Sequence, residues 1–238
     1  MLHPVAAERL GIVLSPERRA EPDLRYVPRM LERILELDPR PLTEARQPER
    51  KLVGNCRDSA VLLCAILRHQ GRPARARAGF ATYFAPGFHG DHWICEIWRE
   101  DEARWAMVDV DLPLDWSGDL DPFDIPADRF LVAGRAWQRC RAGQAAPETF
   151  GLPEFPRENG MGWVGSQVVR DLACLNRREM LCWDRWALGA TVWRGISDKE
   201  AELLDRVADL TTAPGNERFD EIRALYEGDR RLAVPSIF

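Results

Sequence analysis

Cys56 lies in Gly54-Asn55-Cys56-Arg57-Asp58-Ser59, directly before an apolar run of helical character, and His92 and Asp109 follow on two strand-like segments. A cysteine, a histidine and a carboxylate in that order supply a thiol nucleophile, its base and the group that orients the base. The chemistry they could perform together is acyl transfer through a covalent intermediate. Asn55 is a suitable N-cap, so Cys56 stands in the first helical turn. There unsatisfied N–H groups and the helix dipole favour negative charge and lower the pKa of a thiol.

The elements that must hold these residues can be read from periodicity. From Arg57 to Gln70 the sets Ala60-Leu63-Cys64-Leu67 and Val61-Leu62-Ala65-Ile66 make nearly the whole circumference apolar, which predicts a helix buried in the centre of the domain. Gly71 and Pro73 end it. Strands are predicted over 74–84, 91–99 and 104–111, the last two joined by Glu100-Asp101-Glu102-Ala103 as a hairpin. Pairing Arg99 with Arg104 sets Ile94 opposite Asp109 and His92 opposite Asp111, so both carboxylates share the His92 face. Asp109 is then the diagonal neighbour of His92, about 7–8 Å away between backbones, within reach of two side chains. Trp93, Cys95 and Ile97 point to the other face.

The surrounding sequence is consistent with one domain. An amphipathic helix starts at Pro28 and carries Val27, Met30, Leu31, Ile34 and Leu35 at helical spacing. From Leu112 to about Phe155, Pro113, Pro122, Pro126, Pro147 and Pro153 mark loops around a short helix at Ala133–Cys140. Helices are predicted over 168–188, over 197–210 with a Ser197/Glu200 capping box, and over 217–227 closed by Gly228. Residues 1–238 are expected to form a single domain, with a core at about 45–135 and a helical C-terminal extension at about 136–238.

Composition narrows the function. At 238 residues with 45% hydrophobic content the chain can bury a proper core. Its net charge is -5, and all its basic residues except Lys51 and Lys199 are arginine, with no basic stripe to track a phosphate backbone. Nucleic acid is therefore not an expected partner. No stretch is long and apolar enough for a membrane span, and no signal pattern opens the chain, so a cytoplasmic protein is expected. The six cysteines have irregular spacings without a C-x-x-C pair, which points to free thiols and no zinc site. His89 and His92, three apart on a strand, fall on opposite faces, so no metal is expected. Trp183, Trp186 and Trp193 read as core residues. Arg75 and Arg77 on the first strand, with Trp93, are candidates for substrate contact, although a solvated face is the default for strand arginines.

Gly54-Asn55-Cys56-Arg57-Asp58-Ser59-Ala60, the following Arg68-His69-Gln70-Gly71-Arg72-Pro73-Ala74-Arg75, Asp91-His92-Trp93 with Glu96, and Trp105 before Val108-Asp109 together resemble the core motifs of the transglutaminase-like superfamily, as found in bacterial transglutaminase-like domain proteins. The resemblance spans roughly residues 45–112. It implies an α+β, papain-like fold in which the cysteine helix packs against an antiparallel sheet. It also implies Cys56 as nucleophile, His92 as general base and acid, and Asp109 as orienter of the imidazole. The oxyanion hole would use the Cys56 backbone N–H, with Gln47 as the upstream side chain that could supply a second donor. The implied partners are a peptide, amide or thioester acyl donor and either water or an amine as acceptor, with no cofactor. The alternative is a non-catalytic binding module that retains this fold.

Overall fold

The computed structural model describes residues 1–112, 119–213 and 215–236. In chain order its helices and strands are α1 (Pro4–Arg9), α2 (Pro16–Arg19), α3 (Val27–Leu37), α4 (Cys56–His69), β1 (Ala74–Ala81), β2 (His89–Arg99), β3 (Arg104–Val108), β4 (Phe130–Val132), α5 (Ala133–Arg141), β5 (Phe150–Gly151), α6 (Met161–Leu175), α7 (Ala187–Thr191), α8 (Asp198–Thr211) and α9 (Phe219–Gly228). The sheet runs β3-β2-β1-β4 with antiparallel neighbours, and β5 adds a short parallel pairing to β2. This is the expected α+β, papain-like arrangement of a helix against an antiparallel sheet.

The start of α4 is fixed by its own sequence. Asn55 accepts the Arg57 N–H at 3.0 Å through its side chain, and Asp58 accepts the Asn55 N–H at 2.9 Å, which closes a reciprocal capping box. Gly71, at φ +77°, supplies the left-handed turn that releases the chain into β1. One side of α4, Ala60, Cys64 and Leu67, packs on the inward side chains of β1 and β2. The other side, Val61, Leu62 and Ala65, packs with Val27, Met30, Ile34 and Leu52 and stays partly exposed. Its all-round apolar sequence therefore reflects two partners and not a central position.

The central helix is α6, in which every residue from Trp163 to Leu175 is buried. It begins seven residues before the expected Val168 and ends well before Leu188. Gly162 and Gly165 disguise its first turns, because glycine weakens a helix. A Cβ at Gly162 would lie 2.9 Å from the Val192 carbonyl oxygen, and one at Gly165 would lie 3.1 Å from Leu204 Cδ1, so close helix packing requires both. After Leu175 the chain turns at Arg177, at φ +57°. Trp186 is buried as expected, whereas Trp183 is exposed.

One core cluster joins β1 and β2 residues to α4, α5, α6, α8 and α9. A second, smaller cluster of Ala81, Ile94, Leu112, Leu120, Ile125, Phe130 and Val132 lies on the opposite face of the sheet. The predicted loop from Leu112 onward supplies part of this cover; Pro113 lies outside the described residues. Backbone bonds from Asp109 N–H to Pro122 O and from Ile125 N–H to Met107 O, both at 2.8 Å, tie that segment to β3. The Ser197/Glu200 capping box opens α8 as its sequence predicts.

Candidate active site

The hairpin between β2 and β3 has the expected register, with Arg99 opposite Arg104 and Cys95 opposite Val108. Asp109 follows β3 directly and remains diagonal to His92. The side chains close the gap: His92 Nε2 lies 2.8 Å from Asp109 Oδ2, and both residues are buried. Asp109 is held from several sides. Tyr83 donates its hydroxyl to Oδ2 at 2.6 Å, the Asp111 N–H donates to Oδ1 at 3.0 Å, and the backbone is tied to Pro122. Phe84, Tyr83 and Phe130 stand edge-on around the imidazole, with ring centroids 4.8, 6.2 and 6.4 Å away.

Burial alone would push the imidazole pKa down, but the Asp109 charge and its hydrogen bond outweigh that, and His92 titrates above its ordinary value. Burial likewise pushes Asp109 up, yet His92 and the donors Tyr83 and Asp111 hold it below the usual carboxylate range. Both shifts favour the imidazolium–carboxylate form of the pair. Because Nε2 serves Asp109, Nδ1 is the nitrogen left to exchange a proton with another group; it has no hydrogen-bond partner among the described residues.

Cys56 occupies the first position of α4 and is partly exposed. Its neighbours come from three directions: Asp91 and the backbone N–H of Trp93 from β2, Asp111 from beyond β3, and Cys182 from the segment after α6. The first-turn position leads one to expect a lowered thiol pKa, and the opposite is found. Burial, then Cys182, Asp111 and Asp91, push the thiol well above its ordinary value, and the Trp93 N–H opposes them only in part. Proximity of two carboxylates and loss of hydration here outweigh the helix dipole. No hydrogen bond joins Cys56 to His92 among the described residues.

The other residues singled out by sequence have different places. Asp111 accepts the Ser59 hydroxyl at 3.1 Å and so links the end of β3 to α4. Arg77 is not on a solvated face. It is fully buried, with Nε and Nη2 on Asp171 of α6 at 2.9 and 2.7 Å, Nη1 on Glu96 at 3.0 Å, and Nη2 on the Thr211 carbonyl at 2.6 Å. Arg75 pairs with the same Glu96 and lies 3.9 Å over the Trp105 ring. Arg77 thereby fastens the sheet to the C-terminal helices α6 and α8. The Trp93 side chain is core, in the same cluster as Cys64 and Cys95, and Cys56 packs against that cluster. Gln47 is exposed before the Pro48–Arg50 turn, and its side chain makes no hydrogen bond among the described residues. Cys64 and Cys95 lie sulfur to sulfur at 3.1 Å, buried away from His92. His89 stacks on Phe150.

Sequence reasoning missed Tyr83, Asp91, Gln167, Arg170 and Cys182. Asp91 alone carried a signal, its adjacency to His92. The others arrive from segments whose approach to the site no local pattern encodes.

No helix of the described residues is long and apolar enough to cross a membrane. No curated protein and no solved structure matches the chain. Residues 35–110, which carry Cys56, His92 and Asp109, match the family model described as the transglutaminase-like superfamily. This part of the chain is similar to that superfamily, whose general chemistry is cysteine-dependent acyl transfer or hydrolysis and some of whose members are non-catalytic.

Proposed function

We propose that the protein is a cysteine-dependent acyl-transfer enzyme in which Cys56 is the nucleophile, His92 the general base and acid, and Asp109 the orienter of the imidazole. The observation that carries this reading is the buried His92 Nε2 to Asp109 Oδ2 bond of 2.8 Å, which fixes one ring nitrogen and leaves Nδ1 for proton exchange. A carboxylate that served only packing would not need this partner, nor the Tyr83 hydroxyl and the Asp111 N–H on its other positions.

In the first step the Cys56 S–H proton passes to His92 Nδ1 and the sulfur attacks the acyl carbonyl carbon. The oxyanion that forms is met by the Cys56 N–H, which has no other acceptor among the described residues, at the start of α4. Collapse breaks the bond to the leaving amine or thiol, which takes the proton from His92, and a Cys56 thioester remains. Water or an amine then gives its proton to His92, attacks the thioester and releases Cys56. Peptides, amides and thioesters all fit this sequence as acyl donors.

A second reading, a non-catalytic binding module with this fold, draws support from the high thiol pKa of Cys56. The two readings part on one experiment. A panel of peptides, amides and thioesters is screened for turnover, and Cys56→Ala is compared with Cys182→Ala by rate and by circular dichroism. The enzyme reading expects Cys56→Ala to be folded and inactive; an active, folded Cys56→Ala removes it.

A further inference from the structure

The C-terminal helices reach the candidate site through one face of α6. Trp163, Gln167 and Arg170 stand four and three residues apart on that face, and all three are buried. Gln167 Nε2 donates to Asp91 Oδ2 at 2.9 Å, immediately before His92 on β2. Arg170 Nη2 donates to the Asp184 carbonyl at 3.0 Å, in the segment that brings Cys182 within 3.6 Å of Asn55 Nδ2, the residue before Cys56.

Asp91, a half-buried residue, is unlike the buried carboxylates Asp171 and Glu96. Asp171 and Glu96 each close ion pairs with arginine. Asp91 faces Arg170 without closing such a bridge. Its Oδ1, the Gln167 Oε1 and the Arg170 Nε and Nη1 are shielded from solvent and have no hydrogen-bond partner among the described residues. A shielded carboxylate with one donor is expensive to keep, and a purely structural role would be better served by a closed bridge. An incompletely neutralised carboxylate beside a thiol and an imidazole instead acts on both of them.

We propose that Asp91 is a positioning residue for Cys56 and His92: held to α6 by Gln167, it sets the local field at the thiol and the imidazole, and makes the site depend on the C-terminal helices. The proposal rests on the reading of these two residues as nucleophile and base. The charged and titratable groups facing Asp91 are Arg170 of α6, His92 on its own strand, Cys56 of α4 and Cys182. Burial raises Asp91 to about 7, against the pull of Arg170 and His92, so its charge changes across neutral pH. When ionised it raises both Cys56 and His92, and so delays formation of the reactive thiolate with free base.

The test is the pH profile of Cys56 alkylation by iodoacetamide, read by mass spectrometry, in the wild-type protein and in Asp91→Asn, which keeps an acceptor for Gln167. The expected result is a midpoint lower by about half a pH unit or more, hence alkylation about threefold faster at pH 7. The second measurement needs no change to the site: the His92 ring signals of the wild-type protein, followed by NMR against pH, should show a second inflection from Asp91. In Gln167→Met, which removes the donor to the carboxylate, that inflection should move to higher pH. An unshifted midpoint in Asp91→Asn, a one-step His92 titration, or an inflection indifferent to Gln167→Met overturns the proposal. Failure of the enzyme reading shows separately, as turnover that survives Cys56→Ala.

Discussion

Tyr83 and His92 share one acceptor: the Tyr83 hydroxyl lies 2.6 Å and His92 Nε2 lies 2.8 Å from the same Asp109 oxygen, Oδ2. Tyr83 thereby stabilises the Asp109 carboxylate, and its ring stands edge-on to the imidazole. Tyr83→Phe keeps the ring and removes a hydrogen bond to a charged group, a loss on the order of 1.5–3 kcal/mol. We predict lower stability by that order in urea melts and a fall in kcat of about tenfold. Wild-type stability in Tyr83→Phe would show that the hydroxyl does not support Asp109.

Asp109 and Asp111 lie two residues apart but serve different partners. Asp109 is buried and accepts from His92, while Asp111 accepts from Ser59. Asp109→Asn should lower kcat by about 10²–10⁴, the scale of general acid–base loss, with Cys56 still alkylatable. Asp111→Asn should cost less than about tenfold, because it loosens the tie to α4 without touching the imidazole. The two variants measured in one assay decide the assignment, and the reverse ranking contradicts it.

The His92–Asp109 pair makes stability depend on pH with a definite sign. His92 titrates above 6.5 in the folded protein, so its contribution is complete below 6.5 and is lost as pH rises through the folded value. Asp109 titrates below 3.8, so its contribution is complete above 3.8 and is lost as pH falls through the folded value. The difference in Tm between wild type and Asp109→Asn should be widest between these limits and should shrink as pH rises through the folded value of His92. A difference that is flat with pH contradicts the ion pair.

The C-terminal helices are predicted to be inseparable from the sheet. A chain ending at residue 135 would strip α6 and α8 from the core cluster and leave buried Arg77 without Asp171 and the Thr211 carbonyl. An unpaired buried charge and an open apolar face together favour aggregation. Sedimentation and dye binding of that shortened chain check this; a soluble fragment with a cooperative melt would show that the tail is an independent unit.

How far the site could be read from sequence follows from the range of the interactions involved. The N-cap of α4 and the strand register depend on neighbours within a few residues or across one hairpin, so Asn55, Cys56 and the diagonal His92 and Asp109 were legible. The state of the thiol was not, because Asp91, Asp111 and Cys182 converge on it from three segments and reverse the effect of the helix start. Arg77 misled for a similar reason. An arginine on a strand reads as solvent-facing until a distant helix brings a carboxylate such as Asp171 to it. The first turns of α6 were hidden because Gly162 and Gly165 weaken a local helix signal while serving contacts with Val192 and Leu204.

The most direct test of the central claim is to trap the acyl-enzyme. The protein is mixed with the panel of peptides, amides and thioesters, quenched in acid and weighed intact, then digested to locate the adduct. The predicted result is a single acyl group on Cys56, absent from Cys56→Ala and accumulating in Asp109→Asn more slowly than in wild type. Turnover with no adduct on Cys56, or an adduct carried by Cys182 in its place, would contradict it.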